Sequence, residues 1–198
     1  FSNNYKYWVF VSLMLVKENN KNEINEKLNT FGDYVKMEYL SNCLKKPLDY
    51  DTRRFVLTKL AELNESKKMY LAAGKMMRSA GDINVTSQAK INDFVKSAGL
   101  FIKAGNYDEA DVSASKAISI ANGQQKEEIK NMVKEIYKNQ AGFHKEKDQK
   151  KQEMEVYEKL LTFGLDENER NEVQNRLMTI YENLGKMREY FSLKRSRI

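Results

Sequence analysis

Chain breakers and reactive side chains are both scarce. The 198 residues include one proline, Pro47, and nine glycines, too few for the turns that sandwiches and barrels need at every strand end. An all-helical protein is therefore expected. Cys43 is the only cysteine and His144 the only histidine, so a disulfide scaffold, a Cys/His zinc site and a Cys–His catalytic pair are excluded by count. No Walker A loop, GxGxxG, HExxH or GxSxG occurs either. The expectation is a protein that is not an enzyme and holds no cofactor or metal. His144 reads as a packed ring between helices, Cys43 as a small core hydrophobe, and Glu127 and Glu128, set among lysines, as part of a solvated face.

Charge of one sign is in modest excess, and it is unevenly placed. Thirty-four Lys and Arg face 28 Asp and Glu, a net +6. Residues 186–198 carry Lys186, Arg188, Lys194, Arg195 and Arg197 against Glu189 alone, a net +4 that leaves the rest of the chain almost neutral. A basic terminus of this kind ordinarily serves solubility.

Long hydrophobic runs are missing too. The run YWVFVSLMLV at residues 7–16, from Tyr7 to Val16, is half of the roughly 20 residues a membrane helix needs, so no span is expected in this chain. Charged and amide residues follow it where a signal peptide would carry small ones. It reads as a segment that packs on the body or on a second copy. The tail of a longer membrane segment, or sequence upstream of a start at Met14, are the alternatives. A cytoplasmic location is the accompanying expectation.

What is present is helical periodicity. With 41% hydrophobic and 31% charged residues, the chain has the composition of a globular protein that buries roughly 70% of its unfolded surface. Ile24, Leu28, Phe31, Val35, Leu40 and Leu44 step by helical intervals. Gly32 is placed to split that stretch, Pro47 to end it and Asp51 to cap the next helix. Residues 1–19 thus form an apolar N-terminal segment, 20–52 a pair of helices and 53–198 a longer array.

The array repeats. In FVKSAGLFIKAGNYDEADVSASKAISIA, Phe94, Ala98 and Phe101 precede a Gly105-Asn106-Tyr107 turn, and Ala110, Ala114 and Ala117 follow it. Small residues at these places let two helices approach closely, and the aromatics fill the space between pairs. Stepping back 37 residues gives Leu57, Ala61, Ala73, Met77 and Ala80 around Lys68-Met69-Tyr70. Stepping forward 43 gives Tyr137, Ala141, His144, Tyr157 and Leu160 around Lys147-Asp148-Gln149, with Glu153 where the first alanine belongs. A further 37 gives Met178, Tyr181, a Leu184-Gly185-Lys186 turn and Tyr190. The units lie near 53–82, 90–122, 133–164 and 171–196.

These residues resemble the tetratricopeptide repeat (TPR), although the proline that closes each repeat is missing and the periods are unequal. The resemblance implies antiparallel helix pairs stacked as an α-α superhelix, and a protein-binding module or scaffold that holds a peptide or partner helix on its concave face. It assigns that face to Asn92, Val95, Gly99 and Ile102 in the second unit, and to Glu135, Lys138, Gly142 and Lys145 in the third. Asn92, Lys138 and Lys145 would suit a carboxylate-bearing peptide. Two other functions stay open at this point. One is nucleic-acid binding through the lysine-rich stretch 144–151 together with Lys194, Arg195 and Arg197. The other is a structural or homo-oligomeric role through residues 7–16.

Overall fold

The computed structural model describes residues 16–196, which form ten α-helices and no strand among the described residues. They are α1 (Lys21–Leu28), α2 (Asp33–Cys43), α3 (Tyr50–Ser66), α4 (Tyr70–Ile83), α5 (Ser87–Lys103), α6 (Tyr107–Ile120), α7 (Gly123–Glu146), α8 (Lys150–Leu160), α9 (Glu167–Asn183) and α10 (Met187–Arg195). All but Val16 of the apolar run at 7–16, and Arg197 of the basic terminus, lie outside the described residues.

Side chains set most helix starts. Asn20, Thr86, Asn106, Asn122 and Asp166 each accept the backbone N–H three residues on, meeting one of the donors that a first turn leaves unpaired. The cap of α3 is Asp49 and not Asp51: Asp49 Oδ1 accepts from Thr52 N at 2.9 Å and Oδ2 from the Thr52 hydroxyl at 2.7 Å. Asp51 falls inside the first turn, where an N–H three residues ahead already bonds within the helix.

The pairs α3–α4, α5–α6, α7–α8 and α9–α10 are each joined by three residues, a connection so short that the second helix must run back along the first. Each joint closes the same way. The N–H groups of Met69, Asn106, Gln149 and Lys186 donate to the carbonyls of Asn64, Phe101, His144 and Tyr181, and those of Lys68, Gly105, Asp148 and Gly185 to the carbonyls of Glu65, Ile102, Lys145 and Glu182. This is the Schellman pattern, and it puts one residue of each joint in the left-handed region. Those residues are Lys68 (φ 60°), Gly105 (70°), Asp148 (52°) and Gly185 (68°). Their spacing reproduces the steps of 37, 43 and 37 found in the alanine register.

Helices pack on their chain neighbours, and the hydrophobic interior follows them in sequence. Val56 and Leu60 of α3 close a cluster with Ile24, Leu28, Leu40 and Cys43; Ala61, Ala73, Met77 and Leu100 form the next; a long cluster then runs from Ile91 to Tyr181. Ala110 and Ala117 of α6 are buried in the long cluster. Glycine lets α4 and α5 approach closely. A Cβ on Gly74 would stand 3.0 Å from the Phe101 ring, and one on Gly81 2.8 Å from the Phe94 ring. Ion pairs also bridge successive units: Arg54–Asp93, Lys103–Glu65, Arg78–Glu109, Lys116–Asp82 and Lys159–Asp111.

Glu153, the misfit in the alanine register, is 1% exposed. The next unit supplies its counter-charge, since Arg176 of α9 donates to both carboxylate oxygens, at 2.7 and 3.0 Å. A buried carboxylate of this kind tolerates the site only because its partner arrives from the neighbouring pair.

At the N-terminal end, Lys46 Nζ holds residues 16–19 by donating to the carbonyls of Val16, Lys17 and Glu18 and to Asn19 Oδ1.

Three substitutions test the joints and this packing. Lys68→Gly removes a left-handed lysine and should raise stability by about 0.5–1 kcal/mol, because relief of the Cβ clash exceeds the extra freedom glycine gives the unfolded chain. Asp148→Gly should gain less, since aspartate adopts that conformation more readily. Ala110→Leu should lose about 1–3 kcal/mol by prising α5 from α6. Urea unfolding of each variant measures the three values.

Candidate partner-binding groove

A groove of about 370 Å³ lies where α3, α5 and α7 come together. Its floor is apolar. Val95, Gly99 and Leu100 of α5 face Met132 and Ile136 of α7, and the two helices meet where the Ile136 side chain stands 3.4 Å from the place a Cβ on Gly99 would occupy. Because Gly99 carries no side chain, the floor stays open. Met132 is 46% exposed, high for an apolar residue in mid-helix.

Polar groups ring this floor. Lys103 Nζ bonds Glu65 Oε1 of α3 at 2.9 Å and lies over the Tyr70 ring, so both charges are met. Asn92 Oδ1 accepts from Gln88 Nε2 at 3.1 Å. Lys96 makes no ion pair among the described residues and is the uncompensated cation of the rim.

The positions assigned from sequence divide. Asn92, Val95 and Gly99 line the groove together. Ile102 does not: it is fully buried in the long core cluster, out of reach of a partner. Glu135 and Lys138 belong to an ion network between α7 and α9. Lys138 Nζ donates to Glu135 Oε1 at 2.9 Å and to Glu169 Oε1 at 2.8 Å, while Lys134 Nζ reaches Glu169 Oε2 at 3.0 Å. Lys138 is thus already neutralised. Lys145 is exposed near the end of α7, and no Cβ on Gly142 would meet a neighbour within 4 Å. Sequence reasoning missed Glu65, Lys96, Met132 and Ile136. The signal for the last two was an apolar pair four residues apart on α7, outside the stripe formed by Ile129, Val133 and Tyr137 that packs the core.

The residues with most chemical potential sit elsewhere. Cys43 is fully buried, and burial pushes its thiol up to about 11, the reverse of what a nucleophile needs. His144 lies between two glutamines: the Gln140 amide nitrogen can only donate to Nε2, at 2.8 Å, and Gln149 Oε1 can only accept from Nδ1, at 2.7 Å. These contacts fix the ring at the α7–α8 joint. In the stretch 144–151, Lys150 Nζ stands 3.7 Å from Asp148 Oδ1. Among the described residues no three His, Cys, Asp or Glu side chains are grouped to hold a metal ion, and no helix is long and apolar enough to cross a membrane.

Set against known proteins, the chain matches no protein-family model, and no curated protein matches it.

The α7–α9 network gives a pH prediction. Hydrogen bonds from Lys138, then Lys134, then the Asp166 N–H hold the Glu169 carboxyl down to about 2, below its ordinary value of 4.5. A carboxyl held low in the folded state stabilises it fully above the unfolded value and loses that effect as pH falls toward the folded one. Glu169→Gln should therefore lower Tm at pH 7, and the gap from the parent protein should narrow steadily between pH 4.5 and pH 2.5. Thermal melts by circular dichroism across that range check it.

Proposed function

We propose that the protein is a non-catalytic interaction module, a TPR-like stack of helix pairs that holds a peptide or a partner helix in the groove between α5 and α7. The observation that carries this reading is the groove itself: an open apolar floor of Val95, Gly99, Met132 and Ile136, rimmed by a paired Lys103–Glu65 and by the unpaired Lys96. A floor of this kind suits side chains spaced along one face of a helix. Two further facts support a binding role over chemistry: the one thiol is buried and protonated, and the one imidazole is held by amides at a structural joint.

The test is occlusion of the groove. Gly99→Leu puts a branched side chain against Ile136, and Val95→Glu puts a charge on the floor. Each should abolish recovery of the partner that the parent chain captures from native lysate, while Glu127→Gln on the far solvated surface should not. Retention of the same partner by both groove variants, with unchanged thermal melts, would refute the assignment.

A further inference from the structure

Two exposed apolar side chains and part of the chain's excess charge meet on α10. No residue of this helix is buried. Tyr190 and Leu193 lean on the long core cluster, whereas Met187 is 44% and Phe191 51% exposed, with Leu184 exposed in the turn before them. At 3.6 residues per turn, Lys194, Met187, Phe191, Arg195 and Arg188 fall in one sector of about 120°, directed away from Leu193. Among the described residues none of the three cations forms an ion pair. The only carboxylate of the helix, Glu189, lies on the other side and bonds Lys186 at 3.2 Å.

An apolar pair set among three cations, none of which forms an ion pair among the described residues, restricts what can cover this face. A second copy docked face to face would bring cations against cations, a repulsive arrangement. A nucleic-acid backbone would satisfy the cations and leave Met187 and Phe191 with nothing to contact. A bilayer bearing anionic headgroups satisfies both. Apolar side chains enter the boundary between headgroups and acyl chains, and arginine and lysine extend along it to the phosphates. We propose that α10 docks the protein on an anionic lipid surface, with Met187 and Phe191 inserted and Arg188, Lys194 and Arg195 on the headgroups. This goes beyond the groove and does not depend on it.

Flotation of the full chain with vesicles tests the proposal, using phosphatidylcholine with 30% phosphatidylserine in one arm and phosphatidylcholine alone in the other. Binding is expected in the first arm only. Arg188→Gln, Lys194→Gln and Arg195→Gln together should weaken it about a hundredfold, and Phe191→Ser about tenfold. Arg188, Lys194 and Arg195 are exposed, so the melt of the charge variant should not move. Equal flotation with both vesicle types, or no flotation with either, would overturn the proposal. So would binding that persists unchanged in both variants, because the apolar run at residues 7–16 is common to all of them and would then be the membrane contact. Loss of binding in the charge variant with none in Phe191→Ser would also overturn it. A single-stranded RNA bound more tightly than the vesicles at equal phosphate, and equally by Phe191→Ser, would assign the face to nucleic acid.

Discussion

The contact on which the rest of this structure depends is an aromatic ring laid against a glycine backbone. Phe94 and Phe101 are both buried, and each stands where a methyl group on Gly81 or Gly74 would press into it. That places α4 and α5 closer than any side chain would permit. Each ring is also flanked by a cation from an adjacent helix, Lys116 near Phe94 and Arg78 near Phe101, about 5 Å from the ring centre. Since α5 also forms the floor of the groove, the approach of α4 fixes where Val95 and Gly99 stand relative to α7.

Chain direction is settled elsewhere, at the four joints. The same hydrogen bonds recur at each, and the same left-handed residue, although only two of the four positions hold glycine. Lysine and aspartate occupy the others because the hydrogen bonds and the packing of both helices leave the chain no other way to turn. Between joints, the ion pairs and the buried Glu153–Arg176 contact link each pair to the next among the described residues. Contacts of this kind make the packing of each pair depend mainly on its neighbours in the chain.

That local character explains how much was legible in the sequence. The joints were legible from alanines and aromatics together with a turn glycine at Gly105 and Gly185, and those at Lys68 and Asp148, where no glycine marks the turn, followed from the same register of small and aromatic residues. Helix class followed from the lack of breakers. The groove was half visible: Asn92, Val95 and Gly99 were placed by family pattern, and the pattern carried Ile102 with them onto a face that the core claims. Whether a residue at a helix end faces groove or core depends on a rotation of tens of degrees, set by the neighbouring helix. Lys138 illustrates a second limit. Glu135, three residues earlier on α7, is a partner that spacing announces, but Lys138 also bonds Glu169, two helices on, and no spacing within α7 announces that one. Asp49 displaced Asp51 as cap for a smaller reason, since both carboxylates precede the same apolar stretch and only the backbone path after Pro47 separates them.

The close approach of α4 and α5 is most directly tested by a double-mutant cycle at Gly81 and Phe94. If ring and backbone truly touch, Gly81→Ala should destabilise the parent protein by about 1–3 kcal/mol. In a Phe94→Leu background the same change should turn neutral or stabilising, since alanine in a helix is otherwise favoured over glycine by about 0.5–1 kcal/mol. A Gly81→Ala that stabilises the parent protein, or a penalty that is the same in both backgrounds, would contradict the account.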